Sequence, residues 1–214
     1  MRIKVCGLND ERNILEVASL SPDYMGFIFY EKSPRYAGNL KKKIFNEISS
    51  DIFKTAVFVN ESIETIISIV DDLQLDCIQL HGNEDPYYCE ELKFFMPAVQ
   101  LLKAVSVATA EDVLSLDSYD DVCDFILFDT KTENFGGSGV KFNHFLLSYY
   151  EGDLPFFVSG GLGPEDIDNL NGLKEEYEKM YAVDLNSKFE ISPGIKDISQ
   201  LEKAILSLRN IQKA

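Results

Sequence analysis

Two residues of this chain stand at the ends of apolar runs and carry groups that can move protons: Cys6 in Ile3-Lys4-Val5-Cys6-Gly7, and Asp129 in Phe125-Ile126-Leu127-Phe128-Asp129. Strand alternation puts Lys4 and Cys6 on one face, with Ile3 and Val5 on the other. If the apolar pair packs against helices, Lys4 lies beneath the thiol. A cation there favours the thiolate, the form that takes a proton or attacks carbon. By the same parity Asp129 shares its face with Leu127 and Phe125, and a carboxyl beside such apolar surface tends to hold its proton. Cys6 then reads as a general base and Asp129 as a general acid. The alternative for Asp129 is a strand-end carboxylate capping the next loop. For Cys6, as for Cys77, Cys89 and Cys123, it is a small buried hydrophobe.

Two glycine-rich stretches bear on anion binding. Gly136-Gly137-Ser138-Gly139 follows the sixth apolar run, and Ser159-Gly160-Gly161-Leu162-Gly163-Pro164 follows the seventh. The second leads into a helix start, with Pro164 at the first helical position and Glu165 and Asp166 in the first turn. Backbone N–H groups and the positive end of a helix dipole make such a junction an anion site. His81 and His144 have no third ligand at a metal-binding spacing, so no metal site is expected. His81 reads either as a substrate contact or as a hydrogen-bonded strand-end residue, and His144 as a surface or capping residue.

These groups need elements to hold them. Apolar runs of strand length begin near Ile3, Tyr24, Phe53, Cys77, Ala98, Asp124, Pro155 and Tyr181, with helical patterns between them. Ile63, Ile66, Ile67, Val70 and Leu73 mark one buried helix face. Asp197 followed by Gln200 resembles a capping box opening a last helix with the stripe Ile198, Leu201, Ile205 and Leu208. The strands are nearly continuous in apolar character, as strands covered on both faces should be. Eight strand-helix units predict an α/β fold, a (β/α)8 TIM barrel with a parallel eight-stranded sheet, forming one compact domain over residues 1–214. An open nucleotide-binding sheet would want G-x-G-x-x-G after the first strand, which Cys6-Gly7-Leu8-Asn9-Asp10 does not supply.

In a barrel the chemistry sits at the C-terminal strand ends. There the sequence places Cys6, Lys32 to Arg35, Asn60, His81, Lys103, Asp129, Gly160-Gly161 and Asp184. The loops after strands seven and eight are the usual phosphate site. With 20 basic and 36 acidic residues the chain carries a net charge of −16, which argues against nucleic-acid and anionic-membrane partners. An anionic ligand must therefore be held by local donors. No apolar run approaches the roughly 18 residues of a membrane span. The N-terminus shows no signal-peptide pattern, so a cytoplasmic protein with free thiols is expected.

Lys4-Val5-Cys6-Gly7, Gly26-Phe27-Ile28-Phe29 with Lys32-Ser33-Pro34-Arg35-Tyr36, Val57-Phe58-Val59-Asn60, Gln79-Leu80-His81-Gly82, Phe128-Asp129-Thr130-Lys131, Gly136-Gly137-Ser138-Gly139, Ser159-Gly160-Gly161-Leu162 and Ser192-Pro193-Gly194-Ile195-Lys196-Asp197 resemble, in this order, the phosphoribosylanthranilate isomerase family of tryptophan biosynthesis. The resemblance runs over nearly the whole chain. It implies a (β/α)8 barrel that carries out an Amadori rearrangement of N-(5-phosphoribosyl)anthranilate to 1-(2-carboxyphenylamino)-1-deoxyribulose 5-phosphate, without cofactor or metal. Cys6 stands where the family's general base stands and Asp129 where its general acid stands. Arg35 matches the arginine near the anthranilate group, Gly160 and Gly161 the phosphate loop, and Asp184 the carboxylate near the sugar hydroxyls. His81, Asn186 and Ser187 join the substrate-binding set.

One departure is local. Where the family has Val-Ser-Ser-Gly after the strand-eight aspartate, this chain has Leu185-Asn186-Ser187-Lys188, so an amide replaces a hydroxyl and Lys188 could add a cation near the phosphate. The small phosphorylated substrate is the expected partner, with the protein a monomer or homodimer. The competing readings are another phosphate-handling barrel, an epimerase or a lyase using Lys103 as an imine-forming amine, and a barrel that binds a phosphorylated metabolite without turnover.

Overall fold

Alternation along each strand sorts the side chains of the whole molecule into two layers. A computed structural model describes residues 1–114, 116–130 and 143–210. Eight strands, β1 (Arg2–Cys6), β2 (Tyr24–Ile28), β3 (Phe53–Phe58), β4 (Cys77–Leu80), β5 (Gln100–Val107), β6 (Phe125–Thr130), β7 (Phe156–Val158) and β8 (Met180–Leu185), close a parallel barrel in chain order. Closure comes from β1, which pairs with β2 on one side and β8 on the other, Lys4 lying opposite both Tyr24 and Asp184. The inward residues Tyr24, Cys77, Leu102, Ala104, Phe125, Leu127, Phe157 and Ala182 form one buried cluster that fills the barrel. The outward Ile3, Val5, Phe27, Ile78, Ile126 and Val158 join the apolar helix faces in a second layer.

The helices are α1 (Glu11–Ser19), α2 (Lys42–Glu47), α3 (Ile63–Leu73), α4 (Pro86–Phe95), α5 (Glu111–Leu114), α6 (Ile167–Glu176) and α7 (Ile198–Asn210). Local chemistry starts several of them. Asp10, Ser62 and Asp85 accept the backbone N–H three residues on, and Pro86 occupies the first turn of α4. Of the predicted α3 stripe, Ile66, Val70 and Leu73 are buried and Ile63 and Ile67 pack at the margin. Asp197 caps α7 by accepting from the Gln200 N–H at 3.1 Å. The Gln200 side chain donates to the Asp197 carboxylate rather than to its backbone, so the predicted box is one-sided.

The regular alternation fails in three places. Between β6 and β7 the described residues, 143–155, carry a 3-10 stretch, His144–Tyr149. Its buried residues are the neighbours Leu146 and Leu147, not a stripe spaced by three or four, so this stretch presents no full helical face. After β8 the chain adds a small antiparallel hairpin, β9 (Glu190–Ser192) with β10 (Ile195–Lys196), that the hydrophobic pattern did not announce. Finally, β5 runs on to Val107, which makes Lys103 a mid-strand residue and not a strand-end one. The glycine stretch 136–139 and Lys131 lie outside the described residues.

Parity turns Lys103 outward, since Leu102 and Ala104 face in. It is buried there, donating to Glu84 Oε2 at 2.8 Å and to the Gly82 carbonyl at 2.7 Å. Glu84 also accepts from the backbone N–H groups of Asn60 and Gly82, at 2.8 and 2.9 Å, and so ties the ends of β3 and β4 to the middle of β5. Lys103→Met strands that carboxylate without its cation, and we expect a loss of about 3–5 kcal/mol in folding stability. Urea unfolding checks this, and a midpoint close to the parent's would show the network to be dispensable.

Candidate active site

Inward parity brings Cys6 from β1, Gln79 and His81 from the end of β4, Asp129 from β6 and Asp184 from β8 to the C-terminal mouth of the barrel. With Arg35, Gly160, Gly161, Asn186 and Ser187 from the following loops they line one cavity of about 740 Å³. Cys6, Asp129, Arg35, His81, Gly160, Gly161, Asp184, Asn186 and Ser187 therefore share a common space. Asn60 and Lys103 do not: the Asn60 side chain accepts the Asn83 N–H at 2.7 Å, and Lys103 is committed to Glu84. His144 is half-buried away from the cavity, and burial lowers the pKa of its imidazole, with Asp166 working in the other direction.

Cys6 is 3% exposed and can be there only because Gly26 faces it on β2, where an added Cβ would lie 2.6 Å from its sulfur. Beneath it, fully buried Lys4 donates to Asp184 Oδ1 at 3.0 Å. Burial works against the Lys4 charge, but Asp184 and Cys6 outweigh it and hold the ammonium above the usual lysine range. For the thiol the balance runs the other way. Burial pushes the pKa of Cys6 up, Lys4 and Lys196 pull it down, and Asp184 adds to the rise. Lys4 thus favours the thiolate, as the sequence suggests, while burial and Asp184 oppose it and leave the thiol above its ordinary value. The lysine's charge is shared with Asp184, and a thiol cut off from water forms its anion reluctantly.

Across the mouth, Asp129 Oδ1 accepts its neighbour Thr130 N–H at 2.8 Å, and Oδ2 lies 3.2 Å from His81 Nε2. Gln79 Nε2 is 3.1 Å from His81 Nδ1. The Gln79 amide thus meets Nδ1 of the ring, and Nε2 is turned toward Asp129. Both readings of His81 hold at once: it is a hydrogen-bonded strand-end residue and it lines the cavity. Gln79 was not singled out in the sequence, although its place two residues before His81 on one strand assigns it the same face.

The two ends of the cavity differ in character. At the β7–β8 end Gly160 and Gly161 have φ of 90° and 66°, a course that side chains resist. An added Cβ on Gly160 would lie 2.2 Å from Thr130 Oγ1 and 3.2 Å from Asp129 Oδ1, so bare main chain abuts the acid. The Gly163 N–H is taken by Asp166 at 2.9 Å, which leaves the anion to the main chain before it. Ser159 Oγ is 3.4 Å from Asp184 Oδ2, so both oxygens of that carboxylate already have partners. Asn186 Oδ1 accepts from Lys196 Nζ at 2.8 Å, which leaves the amide N–H groups as donors. Lys188 does not join them. In the 3-10 turn Ser187–Phe189, Ser187 faces the cavity, Phe189 enters the core and Lys188 points to solvent, so no added cation reaches the anion end.

Toward β2 and β3, Ile28, Tyr30, Pro34, Val57 and Val59 make an apolar wall, and Arg35 lines the same cavity from the side of Gly7, where an added Cβ would lie 2.7 Å from both Arg35 Cδ and Asn186 Oδ1. An aromatic ring fits such a wall, and a carboxylate on that ring would meet the arginine. Cys6 and Asp129 line the same cavity. Among the described residues no group of three His, Cys, Asp or Glu could hold a metal ion.

The family model described as N-(5'-phosphoribosyl)anthranilate (PRA) isomerase matches residues 3–206. The N-(5'-phosphoribosyl)anthranilate isomerase of Parabacteroides distasonis is 40% identical over 207 residues, covering 96% of this chain and 92% of the relative. The crystal structure of phosphoribosyl anthranilate isomerase from Thermotoga maritima superposes with a TM-score of 0.82 at 30% identity, over 98% of this chain and 99% of that one. A phosphoribosyl anthranilate isomerase in complex with reduced 1-(o-carboxyphenylamino)-1-deoxyribulose 5-phosphate gives a TM-score of 0.79 at 28% identity, with the same coverage.

Proposed function

The chain belongs to the N-(5'-phosphoribosyl)anthranilate isomerase family and is an isomerase of tryptophan biosynthesis, and we propose that Cys6 and Asp129 carry its two proton transfers. The substrate is N-(5-phosphoribosyl)anthranilate and the product 1-(2-carboxyphenylamino)-1-deoxyribulose 5-phosphate. One observation carries the assignment of roles: a thiol and a carboxyl line a single cavity together with an arginine, an apolar wall and a glycine turn.

The phosphate rests on the main chain of Gly160 and Gly161 and on Asn186 and Ser187, and the anthranilate ring lies on the β2–β3 wall with its carboxylate toward Arg35. Asp129, paired with His81, gives a proton to the ribose ring oxygen, and the C1–O bond breaks to leave a Schiff base. The Cys6 thiolate then takes the proton from C2, forming an enolamine. C1 gains a proton and the C2 hydroxyl loses one, which yields the ketone. Asp184, anchored by Lys4, accepts a hydrogen bond from a sugar hydroxyl. Localised attack and release of single protons is what general acid and base groups of this kind supply.

An imine-forming lyase loses its candidate amine, because Lys103 faces away from the cavity in an ion pair. No described helix is long and apolar enough to cross a membrane. We read the protein as cytoplasmic, acting on a small phosphorylated substrate without nucleic acid or membrane, as a monomer or homodimer. Incubation with N-(5-phosphoribosyl)anthranilate in the presence of a chelator, followed by chromatography, tests the activity. The expected result is stoichiometric conversion to the ketose product. Tight binding of the reduced product with no conversion would instead indicate a barrel that binds without turnover.

A further inference from the structure

The β9–β10 hairpin carries two buried charges that no step above uses. Glu190 accepts from Arg35 Nε at 2.9 Å and Nη2 at 2.7 Å, from Lys196 Nζ at 2.7 Å and from the Gly194 N–H at 3.2 Å. The Glu190 side chain is 4% exposed and that of Lys196 is fully buried. Burial pushes the Glu190 carboxyl up, but Arg35 and Lys196 more than offset it and keep it below the usual carboxylate range. A buried ion pair adds little stability over apolar packing of equal volume, so the return on this arrangement is orientation.

What it orients is legible in the donors. Glu190 occupies the Nε–Nη2 edge of the guanidinium and leaves the Nη1–Nη2 end, on a residue that lines the cavity. The arginine stem is fixed as well: Gly7, at φ 81°, lies so close that an added Cβ would be 2.7 Å from Arg35 Cδ. Two cations and one carboxylate leave the cluster net positive, as an anionic ligand entering a chain of net charge −16 requires. An arginine already held in this way loses less rotamer freedom when a carboxylate docks.

We propose that Glu190, held by Lys196, is a positioning residue that presents the end of the Arg35 guanidinium to the aryl carboxylate, making the hairpin a determinant of selectivity for carboxylated aryl amines. This rests on the placement of Arg35 at the anthranilate end of the cavity. The test compares Glu190→Gln and Arg35→Met with the parent for binding of two probes by calorimetry: reduced 1-(2-carboxyphenylamino)-1-deoxyribulose 5-phosphate and its phenylamino counterpart without the carboxyl. In Glu190→Gln, affinity for the carboxylated probe is expected to fall about tenfold, the strength of one charge-assisted contact, with the other probe unaffected and KM rising more than kcat falls.

If Arg35→Met loses the discrimination between probes and Glu190→Gln keeps it, the positioning role is wrong. If Arg35→Met itself keeps the discrimination, the placement of Arg35 fails first and the proposal with it. Equal weakening of both probes in Glu190→Gln would make Glu190 a merely structural residue. The double variant Glu190→Gln/Lys196→Met leaves only the Arg35 guanidinium without its carboxylate, the contact at issue, so the same ratio decides the matter even where the single variant folds poorly.

Discussion

Asp129→Asn should lower kcat by about 10²–10⁴-fold, the range a single general acid contributes. The substitution keeps the shape of the side chain, and its amide oxygen can still accept from Thr130 N–H, now 2.8 Å from Oδ1, while the amide NH2 takes the place of Oδ2 and donates toward His81 Nε2 at the 3.2 Å position. What it removes is the proton for the ribose ring oxygen. Binding of the reduced product should stay near the parent value, because the phosphate and aryl ends of the cavity are untouched. Single-turnover kinetics with that binding measurement separate the two effects. A turnover rate close to the parent's would take Asp129 out of the chemistry and leave it the loop-capping carboxylate that its Thr130 contact also suits.

Cys6→Ser should cost a comparable factor, and its pH behaviour identifies the cause. The thiol is raised above its ordinary value, chiefly by burial and against the pull of Lys4 and Lys196. A base with a raised pKa is mostly protonated at neutral pH, so kcat/KM of the parent should climb as pH rises through and beyond the usual thiol range. Since kcat/KM reports the free enzyme, this limb belongs to Cys6 before substrate arrives. A serine hydroxyl does not ionise in that range, and the alkaline climb should vanish in Cys6→Ser along with most of the rate. If the climb persists in the serine variant, another group is the base.

Much of this site was legible because strand periodicity is local. Once Ile3 and Val5 face the helices, Lys4 and Cys6 must face in, and the same count places His81, Asp129, Asp184 and Asn186 at one mouth. The Gly160-Gly161 turn needed only its place after the seventh strand. The misreadings came from the same kind of evidence carried too far. Apolarity breaks at Lys103, which reads as a strand end, but a cation can sit inside a strand when a buried carboxylate such as Glu84 meets it. Sequence adjacency puts Lys188 near the anion, whereas the 3-10 turn at Ser187–Phe189 leaves it exposed to solvent.

By itself, then, the order of residues determined the eight-stranded barrel, the family and the inward-facing set, all of which follow from periods and short motifs read along the chain. Only the closed structure decided how those residues behave. The direction of the Cys6 shift depends on how completely β1, β2 and β8 exclude water, and on Lys4 spending its charge on Asp184, which is 180 positions away. The partner of Arg35 is Glu190, 155 positions further on and carried by a hairpin that the hydrophobic pattern did not announce. Desolvation and charge pairing are sums over everything that folding brings near a group, and no local period encodes them.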